Sequence, residues 1–332
     1  MAIGSGLGSS FGFSAESTYG TYVAPAKFVR HKSASLQKTA TRVQGEGIQS
    51  GVPAMIGAQF VETVIGGTGT VAFDVQSKNM GVLLQALMGT TVTPTQQSST
   101  SAYLQTHTLA DPFGKSLSVQ LGLPQRGGTV TPVTLKGAKV AKLDLSCSLD
   151  SVLSATATLD AQVYENSTSL ATVSYTSSVN VFHGGQLTVK VGTYNSEASV
   201  SGIKSVSASI ERGMDTSAYY AGASTAGTKS EPVLNAATQI SGSFDLDFLD
   251  TVMHARVRDN TSTSLVMEWV GPVIASTYYE TFRLTVPGIY FESPESFGVN
   301  GRDTVSSSFS WTWKYDGTNL PKIEVISAES AL

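Results

Sequence analysis

Residues 241–248 read SGSFDLDF, and residues 68–75 read TGTVAFDV. In each stretch a hydroxyl residue, a glycine and a second hydroxyl residue lead into strict alternation of apolar and polar side chains. This pattern is typical of a half-buried β-strand. The stretches align with Gly242 on Gly69 and Asp247 on Asp74, which are both 173 positions apart (242 − 69). We therefore interpret them as corresponding strands of an internal repeat, which predicts that later landmarks recur in the same order.

A short helix is predicted after each of these strands. Apolar residues at helical spacing follow the first strand, namely Met80, Leu83, Leu84 and Leu87. Ser77 is placed to cap the start of this helix and Gly89 its end. After the second strand, Asp250 precedes a weaker apolar stripe over residues 252–257, which Arg256 interrupts. The same type of element therefore follows both strands.

Two further pairs of predicted strands extend the repeat. Residues 116–121, SLSVQL, align with 264–269, SLVMEW, at a separation of 148 positions (264 − 116). Residues 153–161, LSATATLDA, align with 305–313, VSSSFSWTW, at a separation of 152 (305 − 153). The separation between the copies thus falls from 173 to 148 positions, which one insertion in the first copy explains. The polar run at about 88–113 is the obvious insert.

The repeat divides the chain into four segments. We predict an N-terminal arm at 1–27, a first repeat at 28–165, a second repeat at 175–316 and a C-terminal extension at 317–332. The arm and the insert are rich in small polar residues, so we expect them to become ordered only between subunits. Strand-like segments at 179–183 and 186–191 open the second repeat. Residues 322–326, KIEVI, form one more strand, in the sheet of their own subunit or of a neighbouring one.

Composition favours short strands and tight turns. Of 332 residues, 41% are hydrophobic and 14% are charged, well below the ~25% charged residues of ordinary globular domains. Serine, threonine, glycine and valine take up the difference, so we expect a mainly β protein. The net charge of −4 argues against a basic surface that grips nucleic acid. The single cysteine, Cys147, excludes an intramolecular disulfide and is predicted to be buried.

No catalytic, cofactor-binding or metal-binding residue is predicted, and we expect that the protein is not an enzyme. The GKS sequence at 114–116 lacks the earlier glycine of a phosphate-binding loop, since Leu109 occupies that position. The four histidines lie far apart, without the spacing of a zinc site. The first residues lack the pattern of a secretory signal, and no apolar run approaches the ~20 residues of a membrane span. We therefore expect a soluble protein made in a cytoplasm.

Four stretches of the sequence carry a resemblance to a known family. They are GFSAESTYGTYVAPAKFVRHKSASL at 12–36, GTGTVAFDV at 67–75, NMGVLLQALMG at 79–89 and ERGMDTSAYYAG at 211–222. In these the chain resembles the major tail tube proteins of long, non-contractile-tailed phages, especially those that infect actinobacteria. The resemblance covers most of the chain. It departs from the common pattern because many members carry one such domain, whereas this chain carries two repeats.

The resemblance implies a fold and a function. Each repeat would be a β-sandwich or half-barrel with a packed helix, and stacked rings would form a β-barrel tube around a DNA-wide channel in the virion. It also implies contacts with a tape measure protein and with tail terminator and tip proteins, while DNA passes without specific binding. Six domains around the axis would need three chains; a ring of six chains is the rival. The alternative function is a β-rich surface adhesin or carbohydrate-binding module.

The channel wall is expected to be neutral to acidic, because a polyanion must slide along it without binding lysine or arginine. Asp74, Asp245 and Asp247 lie on the polar faces of the paired strands. We therefore predict that they line the channel; an outward-facing position is the alternative.

Overall fold

A computed structural model describes residues 4–222, 227–249, 251–292 and 305–332. Within these ranges the chain is mainly β, as its composition predicts. The strands of the first half are β1 Ser10–Ala15, β2 Lys27–Val29, β3 His31–Gln44, β4 Phe60–Asp74, β5 Thr95–Gln96, β6 Tyr103–Thr108, β7 Leu117–Pro124, β8 Val130–Ser148, β9 Ser154–Ala161 and β10 Val163–Glu165. Those of the second half are β11 Leu187–Thr193, β12 Ser196–Ser199, β13 Ile203–Glu211, β14 Gln239–Asp247, β15 Thr263–Ala275, β16 Tyr278–Phe291, β17 Ser306–Trp313 and β18 Lys322–Ser327. The helices are α1 Gly81–Met88 and α2 Val252–Arg258.

Seven strands drawn from both halves form one antiparallel sheet, which we call the wall sheet. Their order is β3, β4, β9, β8, β13, β14 and β17. One side of this sheet is apolar, and Val71, Leu145 and Phe244 on that side are each no more than 5% exposed. The alternating pattern at 68–75 and 241–248 therefore predicts both strands and their buried face correctly.

A second layer of strands covers the apolar side of the wall sheet. In the first half it contains β2, β1, β7 and the beginning of β8. In the second half it contains β12, β11, β15 and the beginning of β16. The buried side chains of the wall sheet and of this layer form one continuous hydrophobic core. Burial of this apolar surface supplies the main driving force for folding.

Two long strands connect the layers, and both change partner beside a glycine. β8 pairs with β7 up to Ala138 and with β9 from Lys139. β16 pairs with β15 up to Ile289 and with β17 from that same residue. Gly137 and Gly288 have φ angles of 64° and 71° next to these points, a conformation that glycine adopts without a steric penalty. An irregularity in the strand ladder accompanies each glycine, which allows the strand to bend.

The order of strand pairing is the same in the two halves. β1, β7, β8, β9, β4 and β3 follow one another in the first half, and β11, β15, β16, β17, β14 and β13 in the second. One alignment made from the sequence is wrong by two residues. Leu135 faces Val119, and its counterpart Val286 faces Leu265, so β7 and β15 correspond at a separation of 146 (265 − 119). A slip of two residues leaves the inward and outward alternation unchanged, so side-chain pattern alone does not detect it.

The helices lie where the sequence predicts them, but the predicted first cap is wrong. Met80 occupies the N-cap position of α1, whereas Gly89 ends the helix in the left-handed conformation as expected. Seven of the eight residues of α1 are buried, whereas in α2 only Met253 and His254 are. Asp250, the predicted cap of α2, lies outside the described residues.

The N-terminal segment differs from our expectation that it orders only between subunits. Residues 10–15 form β1, which pairs with β7 inside the chain. Phe11 and Phe13 are each 1% exposed in the core. Glu16, itself buried, accepts hydrogen bonds from Ser116 Oγ at 2.8 Å and Ser118 Oγ at 2.7 Å, which fixes the end of the strand. The apolar aromatic side chains therefore find their pockets within their own chain.

Three other predicted segments can be compared with the structure. Residues 179–183 are not a strand and form only isolated bridges, although β11 follows as predicted. The insert at 88–113 contains β5 and β6, so it too is ordered within the chain. The predicted C-terminal strand is β18, which pairs with β16 and β6 of its own chain.

Candidate functional site

The solvent side of the wall sheet consists mainly of serine and threonine, and we call it the hydroxyl face. One continuous row of paired residues crosses six strands: Asp74, Ser154, Ser146, Ser207, Ser243 and Ser310. Ser207 Oγ and Ser243 Oγ lie 2.9 Å apart within this row. A face of short hydroxyl side chains remains hydrated and holds few charges that could bind a polyanion.

All three predicted aspartates lie on the hydroxyl face, although they do not form one cluster. Asp245 and Asp247 share β14, and Asp74 lies four strands away on β4. Asp245 Oδ2 accepts a hydrogen bond from Ser205 Oγ at 2.6 Å. The carboxylates are therefore distributed along the face at separate positions.

Asp74 and Asp247 each form an ion pair at a β-bulge. Asp74 Oδ1 lies 2.5 Å from Lys32 Nζ, and Asp247 Oδ1 lies 2.5 Å from Lys204 Nζ. Each lysine occupies the shifted position at the start of its strand, between residues 31 and 33 or between 203 and 205. The two ion pairs therefore occupy corresponding places in the two halves.

The hydroxyl face carries a small excess of negative charge. The carboxylates on the paired strands that reach solvent are Asp74, Asp144, Glu211, Asp245 and Asp247, and the lysines are Lys32, Lys142 and Lys204. Lys142 Nζ lies 3.1 Å from Asp144 Oδ1, so each lysine is paired with an aspartate. Asp245 forms no ion pair within the described ranges, and Glu211 lies directly across from Lys142 on the neighbouring strand. The charge balance of the hydroxyl face is therefore mildly acidic.

The lysines at the bulges were not singled out from the sequence, although a signal for them exists. KSAS begins at Lys32 and KSVS begins at Lys204, and these positions are 172 apart (204 − 32). Comparison of the repeats beyond the strands at 68–75 and 241–248 would have found both residues.

A long loop from the second half covers one end of the wall sheet in the first half. We call residues 213–238, which join β13 to β14, the covering loop; residues 223–226 lie outside the description. Lys229 Nζ lies 2.5 Å from Asp160 Oδ1, and both side chains are less than 10% exposed. Gln162 Nε2 donates a hydrogen bond to the Lys229 carbonyl oxygen at 2.9 Å. Ile65 N donates to the Gly227 carbonyl oxygen at 2.8 Å.

Buried charges anchor the covering loop. Lys139, which is fully buried on β8, pairs with Glu231 of the loop. Burial lowers the pKa of Lys139, and the neighbouring Glu231 carboxylate partly opposes this effect. Burial likewise raises the pKa of Asp160, against the attraction of Lys229. Removal of one partner would leave a buried charge uncompensated, so these pairs hold the loop in a single position.

The described residues contain no group of three or more side chains suited to a metal ion. Nor does any helix in those ranges have the length and apolar character needed to cross a bilayer.

β3, a strand of 14 residues, lies at the end of the wall sheet, and an unpaired strand edge is a template for pairing with another chain. A family model described as phage tail tube protein matches residues 6–312. The chain therefore belongs to the phage tail tube protein family, whose members are structural components of the virion tail. No curated protein matches the sequence.

Proposed function

We propose that this chain is the major tail tube subunit of a long, non-contractile-tailed phage. In this proposal each chain carries two copies of the tail tube domain, and three chains close one ring. Stacked rings form the conduit through which the genome enters the host. The proposal keeps two repeats, at 28–165 and 175–316, and adds β1 at residues 10–15 to the first, because β1 pairs with β7 as β11 pairs with β15.

The contact between the halves of the chain carries this proposal. β13 pairs with β14 on one edge and with β8 on the other, over seven residues from 205 to 211. β3 takes the corresponding place in the first half and pairs with β4 on one edge. No strand in the described part of the chain pairs with its other edge. A free edge of 14 residues is a template for another chain.

Repetition of this contact closes a ring. If β3 joins the second half of a neighbouring chain as β13 joins the first half of its own, junctions inside a chain alternate around the ring with junctions between chains. Such heterologous contacts close by rotation, and three chains give six domains. The shared pairing order, the corresponding bulges and the two matched ion pairs support two copies of one domain. The closed ring also removes the free edges.

The hydroxyl face would line the channel in this arrangement. Asp74, Asp245 and Asp247 would then belong to a mildly acidic wall along which DNA slides. The tape measure protein would occupy the channel before ejection, and the tail terminator and tip proteins would bind the two ends of the tube.

The number of chains in a ring tests the proposal. Assembled protein should show rings of three chains of 34.7 kDa each, with approximate sixfold appearance, by electron microscopy and native mass spectrometry. True sixfold symmetry with six complete chains would contradict the trimer. Monomers that bind glycans and form neither rings nor tubes would instead favour the adhesin.

A further inference from the structure

The covering loop, which belongs to the second half, contacts one surface of the first half. Its contacts on that surface include Ile65 of β4, together with Asp160 and Gln162 at the end of β9. The loop reaches these residues because β13, from which it extends, pairs with β8 of the first half. The position of the loop therefore follows from the strand contact between domains.

The corresponding surface of the second half is an open cleft. β4 corresponds to β14 at a separation of 173 positions, so the counterpart of Ile65 is Thr238. β9 corresponds to β17 at a separation of 152, so the counterparts of Asp160 and Gln162 are Thr312 and Lys314. These three residues line a cleft of about 660 Å³ together with Trp313 and Tyr315. Tyr315 is 56% exposed, and the buried Nε1 of Trp313 has no hydrogen-bond partner among the described residues. Among the described residues, no segment covers this cleft as the covering loop covers its counterpart in the first half.

The segment that corresponds to the covering loop is the connection between β3 and β4. We call residues 45–59 the β3–β4 loop. Ile48 is 99% exposed, Met55 is 67% exposed and Val52 is 41% exposed. Several apolar side chains on one projecting loop, next to a free strand edge, are typical of a surface that another chain covers.

We propose that the β3–β4 loop of one chain docks in the cleft at Trp313 and Tyr315 of a second copy of this chain. This inference rests on the proposed ring, since pairing of β3 with the neighbouring chain brings the loop to the position that the covering loop occupies in the first half. The apolar side chains of the loop meet the aromatic rings of Trp313 and Tyr315 there. The contact between chains would thus be apolar where the contact within the chain is charged.

A photo-cross-linking amino acid, benzoylphenylalanine, in place of Ile48 tests the contact. In assembled protein we expect a cross-link between two chains that joins position 48 to the peptide at 312–315. The control carries the same probe in place of Leu7, which is 87% exposed and outside both surfaces. This control should not label that peptide.

A second measurement uses charged side chains in the loop. The double variant Ile48→Asp with Met55→Asp should reduce the yield of sedimenting tubes by about tenfold or more, as loss of an apolar anchor does at other interfaces. Leu149→Asp, at a side chain that is 65% exposed, is the matched control and should assemble normally. Because Ile48 and Met55 are exposed and contribute little to the core, we expect the variant chain to fold.

The outcomes separate this inference from the proposed function. Rings of three chains in which position 48 labels its own chain, or another peptide, would overturn the docking contact and leave the ring intact. Rings of six chains would overturn the trimer instead. Normal tube yield from the double aspartate variant would also overturn the docking contact.

Discussion

Lys204 forms an ion pair with Asp247 across a β-bulge, with Nζ and Oδ1 2.5 Å apart. Lys32 and Asp74 repeat this arrangement at the bulge of β3. The lysine side chains are about half exposed, at 50% and 47%. Exposed pairs of this kind contribute at most about 1 kcal/mol to stability. The charge of either aspartate can therefore be changed without unfolding the wall sheet.

Reversal of charge on the hydroxyl face should slow the passage of DNA. Phage particles that carry Asp74→Lys, Asp245→Lys and Asp247→Lys together should eject DNA more slowly at about 50 mM salt than at about 200 mM, because lysine binds phosphate with release of counterions. Ejection can be followed by the fluorescence of a DNA-binding dye. Asp259→Lys changes an exposed residue next to α2 and serves as the control. Equal rates for the triple variant and the wild type would contradict a role of this face in the channel.

The glycines at the strand bends should resist substitution. Gly137→Ala and Gly288→Ala should each lower the free energy of unfolding by about 1–2 kcal/mol, because alanine disfavours positive φ. At Gly288 an added Cβ would also lie 2.5 Å from the Lys314 carbonyl oxygen. Urea denaturation measures the effect. Gly127→Ala, where an added Cβ meets nothing within 4 Å, should be close to neutral.

The aromatic residues of β1 should contribute to the stability of the isolated chain. Phe13→Ala should lower the free energy of unfolding by about 3–5 kcal/mol, since it removes a core side chain that is 1% exposed. Phe113→Ala, at a side chain that is 55% exposed, should have little effect. Chemical denaturation of unassembled protein separates this structural role from a role in assembly. An unchanged unfolding midpoint for Phe13→Ala would mean that β1 is ordered only in the tube.

Stability should fall as the pH drops from about 6.5 to about 4. Burial lowers the pKa of His107 from its ordinary value of 6.5 to about 4. The folded chain then binds the proton less tightly than the unfolded chain. The contribution of His107 to stability is therefore complete above pH 6.5 and is lost as the pH falls toward 4, by up to about 3 kcal/mol.

Urea denaturation at several pH values measures this dependence. His107→Gln should flatten it between pH 6.5 and 4. The control is His183→Gln at an exposed position, which should retain the wild-type slope. An equal slope for His107→Gln and the wild type would assign the acid sensitivity to other groups.

The strands and their buried faces were predictable because they depend on local side-chain order. Alternation at 68–75 and 241–248, and the helical spacing before Gly89, each require only a few consecutive residues. The three aspartates were placed on the polar side of their strands by the same reasoning. Whether that side faces a channel depends on assembly, which the order of residues in one strand does not encode.

The features that escaped prediction depend on contacts between distant parts of the chain. Nothing in the pattern of β8 indicates that its second edge pairs with β13. The polar composition of residues 1–27 concealed a strand because only Phe11 and Phe13 mark its buried side, and a core contributed by other strands receives them. The ion pair between Lys229 and Asp160 likewise joins residues that are 69 positions apart.

The pairing of β8 with β13 also sets an order of events during synthesis. The last residue of β13 follows the end of β8 by 63 positions (211 − 148). At ~5–20 residues per second, a ribosome needs roughly 3–13 s to deliver this interval, and during that time the second edge of β8 is open. Once β13 emerges, its tether to β8 gives an effective concentration that an untethered chain does not reach. The connection at 149–202 thus favours pairing of β8 with β13 of its own chain before a strand of a second polypeptide can pair with the same edge of β8.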